Sequence, residues 1–337
     1  MEAIDQTWRI KPSLDHENTW RTVGRRNIFC YMHIVITDSG LGGLSVCAQL
    51  IHLLKDFSVL ENSDIPKCDI KVTYVNAVPS NDKGYNKMSG KKEQIETFEK
   101  IISNTVRLIS PDSIFVACGT LSVLLNQLAP PCDQSVKIEG IANIGIQLLV
   151  NSLKNNPKAK VIILGTPTTI SNKTFQRGLL NNGIPENQIV SQSCPNLANE
   201  ISNDPKGSKV EKRIQYWVKK SLQQLRGKTT DHLMLFLGCT HYSYHENMFK
   251  MAYINEGFSK ITVLNPNNAA AEKLKNYVLN NQNVNSELKK RFSINFLSPY
   301  AIPEQEKITL NKLLSPISPE TSLALINAKI VPELVDN

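Results

Sequence analysis

The chain has 337 residues, of which 41% are hydrophobic and 20% are charged, and this balance is typical of a folded globular protein. Its formal net charge is +8, but the lysines and arginines are scattered and form no long basic run or nucleic-acid recognition motif. The charge therefore predicts a solvated basic surface and no nucleic-acid partner, although a small anionic substrate would suit it.

No segment has the apolar length that a membrane helix requires. The first thirty or so residues contain Glu2, Asp5, Asp15 and Glu17 and lack an apolar signal core. The seven cysteines are irregularly spaced and odd in number, which favours reduced thiols in a cytosol-like compartment. We therefore expect a cytoplasmic protein that has no membrane partner.

Short apolar runs alternate with helical stretches from Ile34 onward, a pattern typical of parallel sheets with crossover helices. Two surface helices are predicted by length and spacing, at 92–110 and 208–225. The predicted strands are 34–36, 71–75, 114–117, 136–141, 161–164, 189–190, 233–237 and 261–264. The sequence therefore predicts an α/β fold with mainly parallel sheets.

A faint duplication divides this pattern into two halves. In each half, a turn rich in Gly, Ser or Thr is followed by a turn that contains a cysteine. We therefore predict two pseudo-symmetric domains with the active site in the cleft between them. The predicted division is an N-terminal arm at 1–33, a first domain at 34–139 plus 261–297, a second domain at 140–260 and a C-terminal tail at 298–337.

Cys118 and Cys239 lie where a buried strand stops and a helix should begin. Ligands of open α/β sheets bind at such strand ends, and the positive end of the following helix favours a thiolate. Two thiols so placed can act as a pair, in which one removes a proton from a carbon and the other returns one from the opposite face. The remaining cysteines are expected to be buried hydrophobes, with Cys194 intermediate.

The neighbours of these cysteines have both functional and structural interpretations. The glycine-rich turn 38–43 lets the backbone approach a ligand, but its spacing is not that of a dinucleotide-binding motif. Cys239, His241 and His245 do not have a known zinc-ligand spacing, and no second cluster in the sequence completes a site. No metal is therefore expected, and His241 is interpreted as a proton partner of Cys239. Thr166 and Thr169 can cap a helix or hold a carboxylate.

With these residues assembled, the chain resembles the glutamate racemases of the aspartate/glutamate racemase superfamily. The matching segments occur in the family's order and cover roughly residues 34–270. The most specific of them are DSGLGG at 38–43 and GCTHY at 238–242. The other matching segments are 117–120, 165–170 and 194–200.

The resemblance implies two α/β domains that close over a small amino acid and racemise it without pyridoxal phosphate, a metal or another cofactor. It implies that Cys118 and Cys239 are the two bases, that Asp38 assists Cys118, and that His241 and Glu200 assist Cys239. The residues that it implies for substrate binding are Ser39, Gly119, Thr120, Thr166, Thr169 and Thr240.

Two departures from the family pattern bear on the substrate. Gly119 stands where the family has an asparagine, and the family's Pro-Tyr-Gly loop is rebuilt around Pro79 and 83–86. The expected reaction is racemisation of an acidic amino acid, with glutamate first, which would supply D-glutamate for peptidoglycan. The alternatives are aspartate or a broader specificity, and a catalytically weakened scaffold that binds an amino acid or a protein. A homodimer stays open.

Overall fold

The computed structural model describes residues 30–55, 67–128, 135–225, 231–280 and 289–336. Nearly all of the predicted N-terminal arm, including Trp8 and Trp20, lies outside these residues, and so does Cys132. The described part of the chain forms two sheets, and all the strand pairs recorded in them are parallel. The predicted α/β fold class is confirmed.

The first sheet has six strands in the order β10-β9-β2-β1-β3-β4. Its strands are β1 (Cys30–Asp38), β2 (Lys67–Asn76), β3 (Ser113–Val116), β4 (Lys137–Gly140), β9 (Lys289–Ser298) and β10 (Lys329–Ile330). The helices that pack on it are α1 (Leu44–Lys55), α2 (Lys91–Ile109), α3 (Gly119–Ser122), α10 (Pro266–Asn280), α11 (Glu304–Leu314) and α12 (Pro319–Ile326).

The second sheet has four strands in the order β6-β5-β7-β8. Its strands are β5 (Lys160–Gly165), β6 (Ile189–Ser193), β7 (Leu233–Leu237) and β8 (Ile261–Leu264). The helices around it are α4 (Ile141–Asn155), α5 (Pro167–Ser171), α6 (Thr174–Asn181), α7 (Leu197–Asn203), α8 (Ser208–Gln224) and α9 (Glu246–Asn255).

Continuous apolar runs explain why the central strands form where they do. All five residues of β7 are buried, as expected for a parallel strand that is covered by helices on both faces. One face of the second sheet packs on α7, α8 and α9, and the other packs on α4 and α6. The amphipathic helices α2 and α8 begin and end within one residue of the predicted positions.

Each sheet has a topological switch point, where successive strands are added on opposite sides of the strand that comes first in the chain. In the first sheet, β2 and β3 lie on opposite sides of β1; in the second, β6 and β7 lie on opposite sides of β5. Ligands of open α/β sheets bind at the carboxyl ends of the strands at such points. Those strand ends carry Asp38 and Cys118 in the first domain, and Thr166 and Cys239 in the second.

The chain passes between the two domains near residues 140 and 265, so the structure differs from the predicted division at 261. Strand β8 pairs with β7, with Leu235 opposite Val263, and therefore belongs to the second sheet. Helix α10 follows at once, and its buried Ala270, Ala271 and Leu274 join the core of the first domain.

The last part of the chain is an integral part of the first domain and not the predicted tail. Strand β9, which was not predicted, pairs with β2 over nine positions from Lys67 to Val75. Leu310, Leu314 and Leu325 of the two helices that follow are fully buried. Residues 289–330 therefore complete one edge of the sheet and cover one of its faces.

His33 on β1 makes the stability of this sheet sensitive to acid. Its Nε2 lies 2.8 Å from Thr73 Oγ1, and burial, with Lys71 nearby, lowers the pKa of the imidazole to about 4. An unfolded histidine has a pKa of about 6.5, so the unfolded state binds the proton more readily between these two values. The stability contributed by neutral His33 is present above pH 6.5 and is lost as the pH falls through 4.

We expect the free energy of unfolding to fall by up to about 3 kcal/mol over this range because of His33 alone. The measurement is urea denaturation at neutral pH and near pH 4.5, on the wild type and on His33→Gln. The variant should lose less stability on acidification than the wild type does. Equal losses in the two proteins would contradict the assignment.

Candidate active site

Cys118 is fixed where β3 meets α3. It is the N-cap residue of that helix, and the Leu121 N–H donates a hydrogen bond to its Sγ at 3.3 Å. The Ser39 hydroxyl, from the turn after β1, lies 2.9 Å from the same sulfur. The side chain of Cys118 is therefore oriented by both turns of the first domain's switch point, and the residue is only 4% exposed.

Cys239 holds the equivalent place in the second domain, between β7 and the 3₁₀ helix Thr240–His245. Its sulfur lies 3.9 Å from His241 Nδ1, and the residue is 8% exposed. Burial lowers the pKa of His241, against the opposing effect of the Asp38 carboxylate. A neutral imidazole beside this thiol can accept or return its proton.

Both thiols are held in the protonated form, which corrects the expectation that the helix N-termini favour the thiolate. Burial raises the pKa of Cys239 to about 12 and that of Cys118 well above its usual range, and Asp38 adds to both effects. The N–H groups at the two turns act in the opposite direction. They are too few to outweigh the loss of hydration, since α3 has only four residues.

Asp38 joins the two domains. It is buried at the end of β1, and its Oδ2 accepts a hydrogen bond from the Thr240 hydroxyl at 2.8 Å. Thr240 directly follows Cys239, so the carboxylate of the first domain is held by the cysteine turn of the second. The charge of Asp38 is therefore placed to influence both thiols and His241.

Three threonines from the two domains form a hydroxyl cluster. Thr120 Oγ1 lies 3.3 Å from Thr166 Oγ1 and 3.4 Å from Thr169 Oγ1. Thr166 is also the N-cap residue of α5 and accepts the Thr169 N–H at 3.2 Å. Both interpretations of this threonine pair are therefore compatible with the structure: it caps a helix, and it presents hydroxyls at the domain boundary.

Glycines allow the cysteine turns to approach one another. A Cβ atom at Gly119 would lie 2.9 Å from the Gly238 carbonyl oxygen, a separation that real Cβ atoms do not adopt. Gly119 and Gly238 directly precede or follow the two cysteines, so the two turns are in contact. An asparagine would not fit at position 119 in this arrangement, which gives a steric reason for this departure from the family pattern.

Glu200 has a different partner from the one that the resemblance implies. Arg213 on α8 binds both of its carboxylate oxygens, with its Nε at 3.0 Å from each. Within the described ranges, no recorded hydrogen bond joins Glu200 to Cys239 or His241. The carboxylate therefore ties α7 to α8.

We expect Glu200→Gln to lower stability by up to about 1 kcal/mol, since the pair is partly exposed. Its effect on turnover should be smaller than that of His241→Gln, because His241 lies beside the Cys239 thiol. Steady-state rates of the two variants provide the comparison. Equal losses of turnover would show that Glu200 does assist Cys239.

Three residues that were not predicted as site residues, Tyr85, Asn86 and Asn267, also lie near this site. Tyr85, in the rebuilt loop, is buried in the same core cluster as Cys118, and its hydroxyl has no hydrogen-bond partner among the described residues. Asn267, at the start of α10, donates a hydrogen bond to the Thr240 carbonyl at 3.0 Å. The loop residue Asn86 reaches the second domain, where it accepts a hydrogen bond from Thr168.

Two other kinds of feature are absent from the described part of the chain. No group of three or more His, Cys, Asp or Glu side chains is arranged to hold a metal ion. No helix in that part has the length and apolar character needed to cross a membrane.

Comparison with known proteins finds similarity between this chain and glutamate racemases. No protein-family model matches the chain. Glutamate racemase 1 of Caldanaerobacter subterraneus subsp. tengcongensis is 26% identical over 265 residues, which cover 78% of this chain and 86% of that protein. Glutamate racemase of Leptospira interrogans is 25% identical over 247 residues, with 73% and 82% coverage.

Among solved structures, glutamate racemases also match the fold of this chain. Glutamate racemase isoform RacE1 of Bacillus anthracis matches with a TM-score of 0.62 and 20% identity, over 90% of this chain and 99% of that one. Glutamate racemase of Francisella tularensis, solved in complex with D-glutamate, matches with a TM-score of 0.60 and 19% identity, over 89% and 97%.

The fold is therefore that of a two-domain α/β racemase, with a cysteine turn at the switch point of each sheet. More narrowly, the chain is similar in sequence to glutamate racemases, and the resemblance inferred from its sequence is confirmed.

Proposed function

We propose that the protein is a cofactor-independent racemase of an acidic amino acid that uses Cys118 and Cys239 as its two acid–base groups. The observation that carries the proposal is the contact between the two cysteine turns at Gly119 and Gly238. This contact supports the proposal, because a two-base reaction at one carbon requires one thiol from each domain at the same interdomain boundary.

The reaction needs one thiolate and one thiol on opposite sides of the substrate's α-carbon. The thiolate removes the α-proton, so that an S–H bond forms while the Cα–H bond breaks and its electron pair stays on carbon. The opposite thiol then donates its proton to the other face, and its sulfur becomes the thiolate. Each turnover exchanges the roles of the two cysteines, so the reverse reaction starts from the state that the forward reaction leaves.

The raised pKa values of the thiols suit this chemistry. An α-proton is weakly acidic, and a thiolate of high pKa is a stronger base towards it than an ordinary one. A bound amino acid brings its own ammonium group into the site, and this positive charge favours the thiolate form. The substrate thus helps to generate the base that acts on it, while His241 takes up or returns the proton of Cys239.

Polar groups around the thiols supply a binding site for a dicarboxylic amino acid. In this proposal, the hydroxyls of Thr120, Thr166 and Thr169 bind a carboxylate, together with the N–H groups at the start of α5. Ser39 and Thr240, which contact Cys118 and Asp38, hold the ammonium and the α-carboxylate. Hydrogen bonds to the α-carboxylate also stabilise the developing carbanion.

Glutamate is the proposed substrate because the curated relatives are glutamate racemases and the Francisella structure contains D-glutamate. The product would then be D-glutamate for peptidoglycan synthesis in the cytoplasm. Aspartate is the second candidate. Gly119 favours it, since this position provides no side-chain amide to contact the longer substrate.

A substrate panel tests the proposal. The purified chain is incubated with the L- and D-enantiomers of glutamate and aspartate, and the products are separated by chiral chromatography. We expect racemisation of glutamate at an ordinary enzymatic turnover, about 1 to 10³ per second, and slower conversion of aspartate. A reversed preference would favour aspartate, and no conversion of any of the four would reject the racemase proposal.

A further inference from the structure

Asn267 lies where the chain returns from the second domain to the first. It is 1% exposed, and its Nδ2, which carries two hydrogens, lies within hydrogen-bond distance of three acceptors: Ser45 Oγ at 2.5 Å, Ser243 Oγ at 2.9 Å and the Thr240 carbonyl at 3.0 Å. Ser45 belongs to α1 of the first domain, whereas Thr240 and Ser243 belong to the turn that follows Cys239. One amide group therefore links the turn after Cys239, in the second domain, to helix α1 of the first domain.

The orientation of Asn267 is itself fixed by its neighbours. Asn265 accepts the Asn267 backbone N–H at 3.0 Å, which caps the start of α10, and Pro266 occupies the first helical position, where its fixed φ suits the helix. The side chain of Asn265 in turn donates to Glu246 on α9 at 2.8 Å. The amide of Asn267 is thus presented by a rigid helix start and not by a free loop.

Further hydrogen bonds make this a closed network. The Ser243 hydroxyl donates to the Thr240 carbonyl at 2.7 Å and is 3.1 Å from Ser45 Oγ. Ser45 also donates to the carbonyl of Gly42 at 2.8 Å, in the turn after β1. Thr240, the residue after Cys239, is therefore held through its carbonyl oxygen by Asn267 and Ser243, while its hydroxyl is held by Asp38.

We propose that Asn267 is a positioning residue for the Cys239 half of the reaction, an inference that rests on the proposed racemase function. Its amide holds the Thr240 carbonyl, and so fixes where the Cys239 sulfur stands relative to the substrate's α-carbon. Among the residues that the structure describes, no hydrogen bond of this network reaches Cys118, which is oriented by Ser39 and Leu121. Loss of the amide should therefore impair one proton transfer and leave the other intact.

The test compares primary kinetic isotope effects in the two directions, using L- and D-glutamate deuterated at the α-carbon, or aspartate if that is the better substrate. In Asn267→Ala, we expect turnover to fall by about 10- to 100-fold, since small misplacements of a reacting group have effects of this size. The isotope effect should rise for the enantiomer whose proton Cys239 removes and not for the other. Cys239→Ser identifies that enantiomer, as the one whose α-proton it no longer exchanges.

This measurement separates positioning from mere loss of fold. A partly unfolded variant has fewer active molecules, which lowers both rates but leaves both isotope effects unchanged. Asn268→Ala is the matched control, because Asn268 is the exposed neighbour on the same helix turn; it should behave as wild type. Should Asn267→Ala not fold, Ser243→Ala removes the second donor to the Thr240 carbonyl and should give the same asymmetry more weakly.

The outcomes distinguish the two proposals. The role of Asn267 alone would be overturned if the wild type is active but the folded variants show isotope effects that are unchanged, or changed equally in both directions. A wild type that does not exchange the α-proton of any acidic amino acid would reject the racemase function, and the positioning role with it.

Discussion

Replacing either Cys118 or Cys239 by serine is expected to lower racemisation by on the order of 10²–10⁴-fold, the contribution typical of a positioned acid–base group. A serine hydroxyl keeps the size and hydrogen bonding of the thiol but is far less acidic. It can neither form the anion that removes the α-proton nor return a proton as readily. Because each proton transfer uses a different sulfur, loss of one blocks interconversion in both directions.

The two variants should nevertheless differ in one respect. Each retains one working base, so each should still exchange with solvent the α-proton of one enantiomer, and the two should act on opposite enantiomers. Proton NMR in deuterated water measures this exchange. Cys194→Ser is the matched control, since Cys194 is an equally buried cysteine whose sulfur donates to the Gln192 carbonyl. Full activity in both Cys118→Ser and Cys239→Ser would show that the assignment is wrong.

Gly42→Ala is expected to have the second-largest effect, because Gly42 lies directly against the second cysteine turn. An added Cβ would stand 2.3 Å from Thr240 Oγ1 and 2.7 Å from the His241 backbone nitrogen. The backbone cannot move aside without displacing Cys239. We expect a loss of about 1–3 kcal/mol in stability and about 100-fold in turnover, the scale of a misplaced reacting group.

Gly40→Ala provides the matched comparison in the same turn. Its Cβ would come no closer than 3.5 Å to His241, an ordinary contact, so this variant should keep nearly the stability and activity of the wild type. Thermal unfolding and steady-state kinetics on the pair separate the steric effect from a general effect of removing glycine. Equal behaviour of the two variants would contradict the close approach of the turns.

The elements of the fold that could be predicted from the sequence are those that depend on local residue patterns. The runs at 233–237 and 261–264 form strands with those bounds. The first is a buried central strand, as its continuous apolar residues indicate, whereas the second is a partly exposed edge strand. Strand β9 was not predicted, although basic and polar residues alternate with Phe292, Ile294 and Phe296, an alternation that indicates a half-buried strand. Its pairing with β2 joins residues more than 200 positions apart, which no local pattern reveals.

The sequence predicts candidate site residues, but it does not predict the contacts between them. The two cysteine turns stand out in the sequence because each follows a buried strand. The bond between Thr240 and Asp38 spans 202 positions, and the role of Asn267 depends on where the chain crosses between domains. The protonation of the thiols was wrongly predicted, since burial, which outweighs the helix N-termini, is a property of the assembled domains.

The most direct test of the two-thiol reaction follows deuterium from solvent into the amino acid. L-glutamate, and separately L-aspartate, is incubated with the protein in deuterated water, and the reaction is stopped early. The enantiomers are then separated, and the deuterium content of each is measured by mass spectrometry. We expect the newly formed D-enantiomer to carry one α-deuterium and the remaining L-enantiomer to stay largely protonated, because separate sulfurs serve the two faces. Deuterium appearing equally in both enantiomers from the start would indicate a single base, and would contradict this expectation.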